Sequence, residues 1–271
     1  LALLEDGPFG PLPRIAPDGR RPFLAYARAF NLEDRRPKVA VVLVGLGRQS
    51  ELLDAALTLP APIGLQFSPY ASDLPALVAR ARGAGHEVLL ELPWQPADDL
   101  TSAPGPYAVV GARVDEHLKR LDWALAQASG YFALAGAAPP LSGSGRAEAV
   151  LDVLARRGLA LIELGDARLA PAAAAAGLPY ASARQAIDEH PAALAVDHAL
   201  AALEAEALAA GSALGVAHGH PASLDRLRQW AATLDGKGLV LAPVSAVLIE
   251  QAGLAPALPR DGRRAVARSE G

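Results

Sequence analysis

The stretch that decides the fold is Pro69–Pro96, PYASDLPALVARARGAGHEVLLELPWQP. It reads as a loop, a helix, a glycine-containing turn and a buried strand. Ser72 or Asp73 supplies the N-cap of the helix, and Gly83 or Gly85 marks its end. The strand HEVLLEL closes at Glu91-Leu92-Pro93. In a parallel α/β protein, the loops that leave the C-terminal ends of the strands form the mouth where ligands bind. Glu91 and Trp94 are therefore placed where chemistry would occur.

The same alternation extends in both directions. KVAVVLV, residues 38–44, is a continuous branched run of the kind that forms a strand buried on both faces. Gly45-Leu46-Gly47 ends it, and Ser50 caps a helix running to Leu59. Further strands are expected at IGLQF, VVGARV, YFALA, LALIEL, LPYAS, ALGVAH and LVLAPV. Helices are expected near 115–128, 146–157, 171–176, 191–210 and 222–234. Strands alternating with helices indicate α/β architecture with a parallel sheet, and this chain length suits a closed or nearly closed (β/α) barrel. No Gly-x-Gly-x-x-Gly follows the first strand and no Walker loop is present, which disfavours a nucleotide fold. Three regions result: a Pro/Gly-rich arm or linker at 1–37, the domain at 38–252 and a flexible tail at 253–271. Phe23, Tyr26 and Phe30 are the residues that would lay the arm against the domain.

Composition narrows the function. The 271 residues are 52% hydrophobic but only 5% aromatic, so small aliphatic side chains build the core. A net charge of −4 lacks the basic face that nucleic-acid binding requires. The clusters Arg20-Arg21, Arg35-Arg36-Pro37-Lys38 and Arg260 to Arg268 read as solvated ends. Cysteine is absent, which rules out disulfides, thiolate ligands and a cysteine nucleophile. Nothing in the chain approaches the roughly 20 apolar residues of a bilayer span. The chain does not begin with methionine, and a signal or anchor preceding Leu1 is the expectation.

VAVVLVGLG, the phrase around Gly85-His86-Glu87, GSALGVAHGHPASLDRLRQW and the closing Ala242-Pro243-Val244-Ser245 together give the chain a recognisable framework from Lys38 to Val247. In order and spacing these pieces resemble the divergent polysaccharide deacetylase family of bacterial envelopes. The resemblance implies a deformed (β/α) barrel, a periplasmic or envelope location, and glycan, peptidoglycan or an envelope protein as partner. It also implies a divalent metal, usually zinc, held by one carboxylate and two histidines, which activates water beside a carboxylate base. Here the family's Asp-Asp pair is replaced by Val44-Gly45. One family histidine is replaced at Glu91-Leu92-Pro93, and another at Ala137. His218, in Ala217-His218-Gly219, is the histidine retained. Asp166 or Glu163 matches a later acidic residue.

Aliphatic side chains cannot ligate a metal, so the expected protein is a catalytically degenerate, cofactor-free member that binds a glycan or a partner. The alternative is an active hydrolase with zinc or another divalent metal in a site rebuilt around Glu91 and His218, with His220 or Asp166. Glu91 and Asp166 are the catalytic candidates, His218 is the metal candidate, and Glu91, Trp94, His218 and His220 are the ligand-binding set. A third reading is a structural module whose contacts come from the arm. His86 is expected to be structural, His117 and His198 exposed, and Trp123 and Trp230 part of the core. Asp98-Asp99 and the loop Pro139–Gly145 read as solvated loops. No Gly-x-Ser-x-Gly elbow supports a serine nucleophile.

Overall fold

The computed structural model describes residues 2–47, 50–94, 105–109, 113–139 and 145–254. It opens with an antiparallel hairpin, β1 (Leu4–Gly7) and β2 (Gly10–Pro13), and a single helical turn, α1 (Pro22–Ala25). The alternating pattern then begins with β3 (Lys38–Leu46), α2 (Ser50–Ala56), β4 (Gly64–Phe67), α3 (Leu74–Gly83), β5 (Val88–Glu91) and α4 (Val114–Leu125). Next come β6 (Ala133–Gly136), α5 (Arg146–Arg156), β7 (Ala160–Leu164), α6 (Ala170–Ala175), β8 (Tyr180–Ala183) and the two-residue β9 (Gln185–Ala186). The fold ends with α7 (Ala193–Ala210), β10 (Ser212–Ala217), α8 (Pro221–Ala231), β11 (Val240–Leu241) and α9 (Val244–Gln251).

The strands from β3 onward form one parallel sheet in the order β8-β7-β6-β5-β4-β3-β10-β9, with β11 alongside the start of β3. Only Arg184 separates β8 from β9. This one kinked segment pairs with β7 on one side and β10 on the other. The sheet thereby curls into the expected nearly closed barrel.

Strand alternation sorts the side chains. Ala40, Val42 and Val44 of β3 share an interior cluster with Leu89, Ala133, Ala135, Ala160, Ile162, Ala181 and Ala183. Val39, Val41 and Leu43 belong to the outer cluster, which the surrounding helices cover. Alanine is the commonest residue of this interior cluster. At the strand N-termini, Val244, Val247 and Leu248 of α9 join the interior cluster and stop that end of the barrel. Gly64 begins β4 there because a Cβ would lie 2.9 Å from Val244 Cγ2.

Glu87 anchors this floor. It is 1% exposed. It accepts hydrogen bonds from the Arg28 N–H (2.8 Å), the Ser245 N–H (3.0 Å) and the Ser245 hydroxyl. α9 has no capping side chain of its own, so Glu87 supplies the missing acceptor at its first turn. Burial pushes the Glu87 carboxyl upward, while the Ser245 hydroxyl and the N–H donors pull against that shift.

Three expectations need correction. Residues 4–25 form a hairpin and a helical turn instead of an extended linker, and Phe23 lays them against the barrel as its sequence suggested. Arg157 donates to Glu5 (2.7 Å) and to the Pro13 carbonyl (2.9 Å), while Phe23 is buried beside Phe132. The run VVGARV lies partly outside the described residues, at 110–112; of its described part, Val109 makes a single bridge to Trp94 and Val114 already opens α4. Asp73 precedes α3 in a left-handed conformation, φ 54°, without a side-chain cap bond.

Replacing Ser245 by alanine removes a donor to a buried carboxylate, and the expected loss is about 1.5–3 kcal/mol of stability in urea unfolding. An unchanged unfolding midpoint would contradict the anchoring role of Glu87.

Candidate functional site

The mouth lies at the C-terminal ends of β3 to β10. On β4, Leu65 and Phe67 pack outward, so Gln66 turns inward. A buried primary amide must find partners. The Gln66 Nε2 donates to the Ala135 carbonyl at 3.0 Å, and its Oε1 accepts the Gly45 N–H at 3.0 Å. A neutral amide strap, 3% exposed, thus ties the end of β3 to that of β6. It occupies the same part of the mouth as Val44-Gly45.

A second cluster stands where β10 gives way to α8. Asp188 follows β9 and is fully buried. Its carboxylate accepts three successive backbone N–H groups: His218 at 2.7 Å, Gly219 at 3.1 Å and His220 at 3.4 Å. It also faces the His218 Nδ1 at 3.3 Å. These N–H groups lead directly into α8, which lacks its own side-chain cap. A carboxylate there is favoured by the orphan donors and by the helix dipole. Gly219 permits the turn: φ is +79°, and a Cβ would lie 2.8 Å from Leu52 Cδ1.

The pair perturbs its own protonation. Burial alone would raise Asp188, but the His218 ring and the backbone donors outweigh it and hold the carboxyl at about 2. Hydrogen bonding to Asp188 raises His218 above its ordinary value against partial desolvation. The His218 side chain remains 56% exposed. It opens on a groove of about 580 Å³ lined by Gly45, Leu52, Ala55, His220, Leu224 and Arg228, among others. A buried anion holding an exposed imidazole gives a proton donor and hydrogen-bond donor at the groove wall.

The residues singled out from sequence separate here. Glu91 is half-buried at the last position of β5, in register with Ala135. His218 and His220 flank Gly219, and the His220 side chain is exposed. Asp166 is exposed on the bend after β7. Glu163 is buried in a structural role, accepting from the Arg168 N–H (2.8 Å), the Leu169 N–H (2.9 Å) and the Tyr180 hydroxyl (2.7 Å). Trp94 is 4% exposed within the outer core, so it offers no face to a ligand, and its backbone bridges to Val109. His117 is buried, not exposed, and His86 is fixed through Nδ1 to the Ile63 carbonyl at 2.9 Å. Trp230 is core, whereas Trp123 is half-buried beneath Tyr107. Asp98, Asp99 and residues 140–144 lie outside the described residues.

A zinc site needs about three protein donors around one point. Among the described residues no three of His, Asp or Glu converge in that way. Val44, Gly45 and Ala137 offer no donor side chain, and the Gln66 amide is already engaged on both sides. Among the described residues, the donor set does not fit the family's metal.

Gln66 had a sequence signal, one polar residue at an alternate position inside the apolar run IGLQF. Asp188 had none, because its partners lie 30 residues away.

Folding holds Asp188 below its unfolded value of 3.8, so its stabilisation is complete above that pH and is lost as pH falls toward about 2. His218 runs the other way: its contribution is complete below 6.5 and fades as pH rises through the raised folded value. Asp188→Asn should lower the His218 pKa in an NMR titration and cost about 1–3 kcal/mol, because one amide oxygen cannot serve all the donors. A His218 pKa unmoved by the substitution would refute the coupling.

The chain matches divergent polysaccharide deacetylases over residues 41–248. No curated protein matches it significantly. Its fold is similar to the crystal structure of an uncharacterized protein from Agrobacterium tumefaciens, with TM-score 0.82 and 28% identity, over 88% of this chain and 99% of that one. Weaker similarity is found to a family 4 carbohydrate esterase from Streptomyces lividans in complex with acetate, at TM-score 0.43 and 18% identity over 79% and 95% of the two chains. The catalytic domain of a peptidoglycan N-acetylglucosamine deacetylase from Eubacterium rectale gives 0.49 and 11% over 80% and 92%. With a match spanning the barrel from β3 to α9, the chain belongs to the divergent polysaccharide deacetylase family.

Proposed function

We propose that this protein is a glycan-binding member of the family, acting at the cell envelope, in which the barrel persists without metal-dependent deacetylation. The observation that carries the reading is the Gln66 strap. Where a metal would need converging anionic or imidazole donors, the mouth holds a buried neutral amide bonded to Gly45 and Ala135, beside Val44. The His218 groove supplies what a carbohydrate requires instead, hydrogen-bonding groups beside apolar patches from Leu52 and Leu224. Polysaccharide is the ligand class that the family description supports, and peptidoglycan is the envelope polymer that fits it. An extracytoplasmic location follows from such a ligand. No helix among the described residues is long and apolar enough to cross a membrane.

A rival reading has one specific observation in its favour. The Asp188–His218 pair is built to hold a proton, as an acid catalyst would be. On that reading the protein is an active metal-dependent deacetylase with a site rebuilt around Glu91 and His218.

Both are tested by incubating purified protein with chitooligosaccharide or acetylated peptidoglycan fragments at saturating zinc. The expected result is acetate release no faster than the blank, with substoichiometric metal after dialysis and measurable binding by calorimetry. Zinc-dependent acetate release that disappears in His218→Ala would establish the rival.

A further inference from the structure

We propose that Tyr107, backed by Trp123 and Tyr70, is a stacking platform for a pyranose ring of the bound glycan. The proposal deepens the glycan-binding reading and rests on it, but it places a contact outside the His218 groove.

Three aromatic rings from three separate elements meet here. Tyr107 lies flat on Trp123 of α4, with centroids 4.2 Å apart and planes 11° from parallel. Tyr70, from the loop after β4, packs against the same indole at 4.9 Å and 34°. Tyr107 is 39% exposed, and it is the one aromatic side chain among the exposed large hydrophobics of the described residues. Trp123 covers one face of its ring, so the exposed surface belongs to the opposite face and the edge.

The ring is held in this position. The Tyr107 N–H donates to the Tyr70 hydroxyl at 3.0 Å. One residue on, the Ala108 carbonyl accepts from Arg120 Nη1 at 2.8 Å. The Val109 N–H then donates to the Pro93 carbonyl at 2.8 Å, beside the bridge to Trp94. Gly105 lets this segment press against Tyr70: its φ is +112°, and a Cβ would lie 2.4 Å from the ring. Three tethers within three residues leave the ring little freedom to lose when a ligand arrives.

The chemistry selects the ligand. An aromatic face is apolar and carries the negative lobe of the ring quadrupole. One face of a pyranose presents polarised C–H groups, while its hydroxyls point outward to water, so the two surfaces complement each other. Tyr70 follows β4, and the Tyr107 segment is tied to Pro93 just after β5, on the strand-end side from which His218 also leaves β10.

The experiment uses the full chain and tryptophan emission. Of the three tryptophans, Trp94 and Trp230 are buried, so a saccharide-induced change reports mainly on Trp123. Titration with a chitooligosaccharide should change the wild-type emission. Tyr107→Ala should weaken binding at least about tenfold, and Tyr107→Phe, which keeps the ring, should bind as wild type. Circular dichroism of the variants checks that the barrel is intact. Wild-type affinity in Tyr107→Ala overturns the platform and leaves glycan binding standing. Failure of wild type to bind chitooligosaccharide or peptidoglycan fragments by calorimetry as well as fluorescence overturns both.

Discussion

A carboxylate withdrawn from water needs donors, and a helix whose first turn has no capping side chain needs acceptors. This fold solves both problems with the same contacts. Glu87, Glu163 and Asp188 are each at most 1% exposed, and each receives backbone N–H groups at or just before a helix start. The helices concerned, α9, α6 and α8, carry no side-chain cap of their own. Each carboxylate lies outside the helix it caps, Glu163 on the preceding strand and Glu87 and Asp188 much farther along the chain, so every cap also fixes a helix against the barrel. An unpaired buried charge would be far more costly than an unpaired amide, which makes these positions intolerant of loosening.

The three anchors have different consequences because of where they lie. Glu87 secures α9 across the strand N-termini, where the aliphatic side chains of that helix fill the barrel end. Glu163 faces outward and shapes the turn before α6. Asp188 sits behind the His218 groove at the mouth, and of the three it is the one with an imidazole within reach. The same capping contact that is purely architectural at the floor thus becomes a chemical feature at the mouth.

The rest of the mouth follows from the narrow interior. Alanines at 40, 133, 135, 160, 181 and 183 let the strands close tightly. Gln66 then spans the gap between strand ends and satisfies two backbone groups that the curvature exposes. A side chain bonded at both ends is a poor neighbour for a cation, which is already evident from Val44 and Gly45. The glycan binding proposed for this protein needs none of that. It calls for hydrogen-bonding groups and flat apolar surface, and the rim offers both in His218 and Tyr107.

The parallel α/β framework was legible in the chain because branched runs such as residues 38–44 and the helix–turn–strand of Pro69–Pro96 are local patterns, set by the period of the backbone. The family framework was legible for the same reason. Tertiary structure decided what those patterns surround. Trp94 proved to be core because a residue 15 positions later bridges to it, and the arm proved folded because Arg157 reaches back more than 140 residues. Asp188 acquired its role from three N–H groups about 30 residues away. Periodicity records which face of an element is apolar, whereas the partner of a buried polar group is set by how distant elements meet in space, and no local pattern encodes that.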